Sequence, residues 1–217
     1  MESSWVAREP AGIRAVILDF GEVLSHVPAT ETIERVAGIF GMDAATFFAI
    51  YLQNRGAYDR GDVQAGEYWE GFAAQAGVKI DAQAIERARL LDLELWSRMN
   101  EAMVEWIERI HAAGFKTAVL SNMPADMAAH MRRTCAWIGH FDEHIFSGEV
   151  RRIKPEPAIY RHCLEALGVQ AAEAVFIDDR DVNVAEARAA GMRAIRFQSV
   201  AQLRGELEAL GFTILPR

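Results

Sequence analysis

Carboxylate, hydroxyl, amide and ammonium side chains stand close to the ends of short apolar runs in this 217-residue chain. They are Asp19 after the first run, Ser121 and Asn122 after the second, Lys154 before a helix-like stretch, and Asp178 and Asp179 after the third run. Three converging carboxylates would repel one another without a cation, so the set predicts a hard divalent ion such as Mg²⁺. A carboxylate beside a metal and a lysine favours phosphoryl transfer, which proceeds mainly by positioning and charge stabilisation.

The carboxylates divide into a nucleophile and metal ligands. Asp19 can bind the metal with one oxygen and attack phosphorus with the other. Asp178 and Asp179 would complete the protein ligands, and the carbonyl group of Gly21 is a further candidate. Mg²⁺ takes oxygen ligands and few of them from protein, which agrees with this small set.

The remaining polar residues are candidates for holding the phosphoryl group. Ser121 and Asn122 precede Pro124, where the first amide groups of a helix can bind phosphate oxygens. Lys154 can neutralise charge on the nucleophile and on the phosphoryl group. Each residue alone also has an ordinary role as a cap, turn or solvated helix start. Their joint order along the chain favours chemistry.

Four apolar runs predict buried parallel strands, at residues 14–19, 116–121, 174–178 and 193–197, with residues 144–147 as a candidate fifth. Amphipathic stretches at residues 100–113, 155–167 and 182–190 predict helices between the later strands. Strands that alternate with helices of this length indicate an α/β fold with a doubly wound, mainly parallel sheet. In such sheets ligands bind at the carboxyl ends of the strands.

The segment after the first strand interrupts this rhythm. Four helical stretches are predicted there, at residues 29–40, 43–52, 64–76 and 81–96. An insertion of this length exceeds any ordinary loop. We expect a core of residues 1–22 and 97–217 with a helical insertion of residues 23–96.

Composition limits the partners that the chain could bind. The formal net charge of −8 repels nucleic acid and anionic membranes, so neither is an expected partner. Cys135 and Cys163 are the two cysteines, and no apolar run approaches membrane-spanning length. These features predict a soluble cytoplasmic protein, either a monomer or a homodimer.

Four motifs together resemble those of the haloacid dehalogenase (HAD) superfamily over nearly the whole chain. They are ILDFGEVL around Asp19, LSN around Ser121, RIKPEP around Lys154 and FIDDRDVNVAEA around Asp178. The resemblance implies a HAD-like Rossmannoid core, a C1-type helical cap over residues 23–96, and Mg²⁺-dependent hydrolysis of a small phosphorylated metabolite through an aspartyl-phosphate on Asp19. The pattern is most similar to the branch that contains α-D-glucose-1-phosphate phosphatase, which implies a sugar phosphate such as glucose 1-phosphate.

Gly21 departs from the pattern of most HAD phosphatases, which carry a second aspartate there as the general acid and base. Its loss matters less if the leaving oxygen is already acidic, as in a sugar 1-phosphate. Glu22 and His26 are candidates to supply the proton. In the insertion, Arg55 and Trp69 are candidates for contacting the leaving group, although the aromatic cluster around Trp69 also suits a hydrophobic core.

Three alternative functions stay open at this point. The 2-haloacid dehalogenases of the superfamily also lack the second aspartate, but they need no Mg²⁺ and leave Asp178 and Asp179 unexplained. A non-catalytic relative could bind a phosphometabolite without turning it over. Receiver domains of signalling proteins use similar residues in another order, with the carboxylate pair first, and have no place for the insertion.

Overall fold

The computed structural model describes residue 10 and residues 12–217, and it contains a five-stranded parallel sheet. The strands are β1 (Ala15–Leu18), β2 (Lys116–Ser121), β3 (Glu143–Phe146), β4 (Ala174–Asp178) and β5 (Arg193–Arg196). Their order across the sheet is β3-β2-β1-β4-β5, and every neighbouring pair is parallel. The predicted doubly wound α/β fold is confirmed, and the candidate strand near residue 144 is part of the sheet.

Helices cover the sheet and form the insertion. Between β1 and β2 lie α1 (Thr30–Ile39), α2 (Ala44–Asn54), α3 (Gly56–Arg60), α4 (Ala65–Ala76), α5 (Ala82–Leu95) and α6 (Glu101–Ala112). The later helices are α7 (Ala125–Thr134), α8 (Ser147–Val150), α9 (Pro157–Leu167), α10 (Asp181–Ala189) and α11 (Val200–Ala209). The sequence patterns predicted α1, α2, α4, α5, α6, α9 and α10 to within about two residues. They gave no range for the short helices α3 and α8 or for the longer helices α7 and α11.

Both faces of the sheet are buried, as a continuous apolar run such as β1 requires. Val16 and Leu18 face a cluster that includes Trp106 of α6. Ala15 and Ile17 face a second cluster, which α9 and α10 complete. The site-bearing strands are therefore held on both sides.

The insertion has a hydrophobic core of its own, built largely from aromatic side chains. Phe40 stacks on Phe47 and on Trp69, with ring centroids 6.0 and 5.7 Å apart. Trp69 is fully buried within this cluster. Two chain segments connect the insertion to the sheet, and Ser25 and Met99 form an antiparallel bridge between them.

Polar contacts also join α3 to the core. The Ser147 hydroxyl donates to the carbonyl oxygen of Asp59 at 2.5 Å, and Arg151 donates to the carbonyl oxygen of Gly61 at 3.0 Å. The Tyr58 hydroxyl donates to Asp126 of α7 at 2.9 Å. These contacts hold α3 against the carboxyl edge of the sheet.

No single helix in the described residues is long and apolar enough to cross a membrane. Helices α1 and α2 are long and apolar enough only when taken together, and they are bent by 82° relative to each other. Their apolar side chains, among them Val36 and Phe47, are buried in the core of the insertion.

Candidate active site

The ends of three adjacent strands bring the predicted residues together. Leu18 of β1 pairs with Ile177 of β4, so Asp19 and Asp178 follow at the same edge of the sheet. On the other side of β1, β2 ends in Ser121. Asp19, Ser121 and Asp178 are all buried, at 7%, 3% and 0% exposure.

A tight turn after β1 orients the Asp19 side chain. Its Oδ1 accepts a hydrogen bond from the backbone amide of Phe20 at 2.7 Å. Glu22, three residues after Asp19, has a φ of 58°, in the left-handed region that a residue with a side chain rarely adopts. Strain of this kind is common at functional sites.

Lys154 lies between two of the carboxylates. Its Nζ is 2.7 Å from Asp19 Oδ1 and 2.7 Å from Asp178 Oδ2, and its side chain is 1% exposed. Burial alone would lower the pKa of Lys154, but Asp178 and Asp19 outweigh burial and raise it. The ammonium group is therefore charged and offers a cation to any anion bound beside Asp19.

Asn122 makes hydrogen bonds to the backbone of Lys154. Its Nδ2 donates to the carbonyl oxygen of Lys154 at 2.9 Å, and its Oδ1 accepts from the backbone amide of Lys154 at 2.8 Å. The side chain therefore holds the Lys154 backbone, and because Asn122 also lines the cavity, its contact with a phosphoryl group stays a prediction. Ser121 stays a candidate for the phosphoryl group, because in the described chain no hydrogen bond engages its hydroxyl, and it lines the cavity.

Asp19, Asp178 and Asp179 can each offer one oxygen such that the three atoms lie within 4.8 Å of one another. Asp178 is fixed by the Arg180 amide at 2.9 Å and by Asn183 Nδ2, at 2.9 Å to Oδ1 and 3.0 Å to Oδ2. The Oδ1 atom of Asn183 is buried without a partner among the described residues, although it belongs to a residue lining the cavity. An all-oxygen cluster with an unsatisfied acceptor beside it fits a hydrated Mg²⁺ ion.

Asp19 and Asp179 have raised pKa values, so their charged forms carry a free-energy cost. Burial raises the pKa of Asp19 to about 7; Lys154 opposes this shift, while Asp178 and Asp179 add to it. Burial, together with Asp178 and Glu22, raises the pKa of Asp179 to about 6. A divalent cation would remove this cost by favouring the charged forms.

We expect Mg²⁺ to raise the melting temperature of the protein more at about pH 7.5 than at about pH 5. Because the folded pKa values of Asp19 and Asp179 exceed the unfolded value of 3.8, the metal-free protein loses stability as pH rises from about 4 to about 7. Mg²⁺ at about 100 times its Kd should raise the melting temperature by about 5–10 °C near pH 7.5.

Differential scanning fluorimetry with Mg²⁺ or EDTA measures this shift. Asp179→Asn should lose most of it. The matched control Asp181→Asn, which removes an exposed carboxylate that pairs with Arg196, should keep it. An undiminished shift in Asp179→Asn would contradict the predicted ligand set.

A cavity of about 360 Å³ opens in front of these groups. Of the residues that the sequence singled out, those that line it are Asp19, Gly21, Glu22, Arg55, Ser121, Asn122, Lys154 and Asp179. Trp69 does not line it, because its side chain is used in the core of the insertion. His26 lines a neighbouring cavity of about 480 Å³, which shares Glu22 and Asp179 with the first.

Among the residues of the cavity wall that sequence reasoning did not single out are Asp59, Trp96, Arg180 and Asn183. Asn183 could have been found, because five residues after Asp178 it lies in the first turn of α10 and faces back to the strand end. Asp59 and Trp96 carried no local signal, since packing of the insertion decides where they point.

A family model of haloacid dehalogenase-like hydrolases matches residues 13–191 of this chain. Bifunctional epoxide hydrolase 2 from Rattus norvegicus is 34% identical over 124 residues, which are 54% of this chain and 22% of the rat protein. Phosphatase MT3486 from Mycobacterium tuberculosis is 32% identical over 110 residues, which are 48% of this chain and 51% of that protein. The chain thus spans about half or less of the length of these relatives.

Solved structures share the fold at low sequence identity. A HAD family enzyme from Bacteroides thetaiotaomicron, in complex with magnesium and inorganic phosphate, aligns with a TM-score of 0.70 at 19% identity, covering 86% of this chain and 95% of that one. The L-2-haloacid dehalogenase from Xanthobacter autotrophicus aligns with a TM-score of 0.68 at 20% identity, covering 91% and 83%.

Proposed function

This chain belongs to the haloacid dehalogenase-like hydrolases, and we propose that it is a Mg²⁺-dependent phosphatase of small phosphorylated metabolites. One observation carries the proposal. The Lys154 ammonium group lies 2.7 Å from both Asp19 and Asp178, inside a cluster of three carboxylates that suits a divalent cation. Similarity to a phosphatase and to an enzyme complexed with magnesium and phosphate supports it.

Asp19, Asp178, Asp179 and the Gly21 carbonyl group would hold Mg²⁺, which would supply positive charge against the phosphoryl oxygens. Asp19 acts as the nucleophile: a carboxylate oxygen bonds to phosphorus while the bond from phosphorus to the leaving oxygen breaks. Ser121 and Lys154 hold the phosphoryl oxygens. Water then hydrolyses the aspartyl-phosphate and regenerates Asp19.

The leaving oxygen needs either a proton or low basicity. Gly21 offers no acid, and of the two candidates nearby Glu22 lines the cavity whereas His26 does not. We therefore propose Glu22 as the better candidate for the proton donor. We also propose that the preferred substrate is a sugar 1-phosphate such as glucose 1-phosphate, because its anomeric oxygen leaves with little help.

The helical insertion, residues 23–96 in this proposal, serves as a C1-type cap over a core of residues 1–22 and 97–217. Its residues line the cavity together with the strand ends. A cap in this position can select the leaving group and exclude water. The oligomeric state, monomer or homodimer, and a cytoplasmic location remain predictions.

A panel of phosphorylated metabolites, assayed for phosphate release with Mg²⁺ and with EDTA, tests the proposal. We expect release that EDTA abolishes, and a higher kcat/KM for sugar 1-phosphates than for sugar 6-phosphates. The reverse ranking would overturn the leaving-group argument while leaving the phosphatase assignment intact. Tight ligand binding without phosphate release would instead identify a non-catalytic relative.

Dehalogenation is the second candidate, because a dehalogenase shares the fold. Asp178 and Asp179 argue against it, because they add to the effect of burial in raising the pKa of Asp19 to about 7, which reduces the charged, nucleophilic fraction of Asp19 when no metal is bound. Release of halide from 2-haloacids, unaffected by EDTA, would establish that candidate in place of the phosphatase.

A further inference from the structure

A buried chain of hydrogen bonds runs through the helical insertion and ends on the cavity wall. Trp96 Nε1 donates to the Tyr51 hydroxyl at 3.0 Å, which donates to Asp92 Oδ1 at 2.5 Å. Arg55 Nη1 donates to both oxygens of Asp92, at 2.9 and 3.0 Å, and Arg55 Nε donates to Asp59 Oδ1 at 3.0 Å. Three of these five residues, Arg55, Asp59 and Trp96, line the cavity.

Packing fixes the orientation of these groups. The Arg55 guanidinium group lies 4.5 Å from the centroid of the Tyr51 ring. Arg55 and Asp59 are 8% and 7% exposed, and Asp92 is 1% exposed. The Ser147 hydroxyl also binds the Asp59 carbonyl oxygen, which ties this wall to the core. A binding surface held this firmly loses little entropy when a ligand arrives.

The cavity side of the network offers one donor beside one acceptor. Within the described residues, no hydrogen bond engages Arg55 Nη2 or Asp59 Oδ2. A hydroxyl group, which both donates and accepts, can satisfy the two together. The indole of Trp96 adds an apolar face: a Cβ at Gly21 would lie 3.4 Å from its Cζ3 atom, so this ring covers the turn directly after the nucleophile.

The network carries a net negative charge. Arg55 contributes one positive charge, and Asp59 and Asp92 contribute two negative charges. Burial raises the pKa of Asp59 to about 6, with Arg55 opposing the shift, so Asp59 is mostly charged at neutral pH. Arg180 also lines the cavity, but it is exposed and solvent screens its charge. A second anion on the substrate would therefore meet net negative charge here.

We propose that Arg55, Asp59 and Trp96 form the leaving-group subsite and that this subsite selects neutral, hydroxyl-bearing leaving groups over leaving groups with a second anionic group. The inference rests on the proposed phosphatase function, since it concerns the part of the substrate that leaves. Hydroxyls of the leaving group bind Arg55 and Asp59, and its C–H face packs on Trp96.

Glucose 1-phosphate and glucuronic acid 1-phosphate are matched probes, because they share the anomeric leaving oxygen and differ only at C6, a hydroxymethyl group or a carboxylate. We expect kcat/KM to be at least about tenfold higher for glucose 1-phosphate, mainly through KM. Asp59→Asn, which keeps an acceptor for Arg55 and removes the charge, should bring the two values within about threefold. The control Glu70→Gln removes an exposed charge of α4 and should leave the preference unchanged.

p-Nitrophenyl phosphate separates the failure of this inference from the failure of the proposed function. If the wild-type protein releases phosphate from none of the three compounds and from no member of the metabolite panel, the phosphatase function is wrong. If it hydrolyses p-nitrophenyl phosphate but neither sugar phosphate, or both sugar phosphates equally well, the subsite is wrong. Should Asp59→Asn fail to fold, Trp96→Phe provides the second measurement: KM for glucose 1-phosphate should rise at least about fivefold, and an unchanged KM would overturn the proposal.

Discussion

Asp19→Asn is expected to lower kcat for phosphate release by about 10⁴-fold or more, because an amide oxygen cannot form the aspartyl-phosphate. The substitution is nearly isosteric, so the buried turn after β1 should be preserved. The assay is phosphate release with Mg²⁺ present and with the best substrate of the metabolite panel.

The same variant should not lose stability in EDTA. The folded pKa of Asp19 is about 7, above the unfolded value of 3.8, so ionisation of this group destabilises the metal-free fold as pH rises through that range. Asparagine cannot ionise. The melting temperature of Asp19→Asn should therefore equal or exceed that of the wild type at about pH 8, and the difference should be smaller near pH 4. A variant that melts well below the wild type at about pH 8 would make the activity loss uninformative about chemistry.

Asp126→Asn is a suitable comparison for Asp19→Asn, because it alters a carboxylate of the first turn of α7 outside the cavity. It should keep most of the turnover even if it weakens the contact with Tyr58. Turnover by Asp19→Asn within about tenfold of the wild type would show that another group attacks the substrate.

The strand ends were predictable because two independent constraints act there. Burial on both faces makes β1 and β4 continuous apolar runs, and parallel strands deliver their terminal residues to one edge of the sheet. The order of Asp19, Ser121, Lys154 and Asp178 along the chain therefore predicted which side chains this edge of the sheet brings together.

The role of Asn122 was not predictable, because its partner lies 32 residues further along the chain and the contact is to the backbone. Any residue type at position 154 could accept that contact, so no side-chain pattern records it. The sequence suggested a phosphate contact, which stays a prediction, and the structure adds that the Asn122 side chain positions Lys154.

The part of the cavity wall that the insertion forms could not be predicted from the sequence for a related reason. The amphipathic patterns located α2, α4 and α5, but the direction in which Trp69 and Trp96 point depends on how these helices pack together. Trp69 enters the hydrophobic core, and Trp96 reaches the cavity with its Nε1 held by Tyr51. Only tertiary packing distinguishes two tryptophans that composition treats alike.

Lys154→Met is expected to produce the largest combined loss of stability and activity. It removes the cation from between Asp19 and Asp178 and leaves two buried carboxylates without it. Breaking a buried ion pair by removing one partner costs about 3–5 kcal/mol, or about 6–20 °C in melting temperature for a chain of this size. Loss of a charge-stabilising donor at the phosphoryl group should lower kcat by about 10²–10³-fold.

Solution conditions distinguish this electrostatic cause from a packing defect. Lowering the pH from about 8 to about 5 protonates Asp19 in the variant, since without Lys154 its pKa rises further, and the stability difference from the wild type should shrink. Mg²⁺ should restore part of the melting temperature by replacing the missing positive charge, but not kcat, because Lys154 also contacts the phosphoryl group in the proposed mechanism.

The matched control Lys116→Met removes an exposed lysine at the start of β2 and should change neither property. A deficit in Lys154→Met that is the same at both pH values and with Mg²⁺ would mean that Lys154 stabilises the fold by packing alone, and the charge-bridging role proposed for it would be wrong.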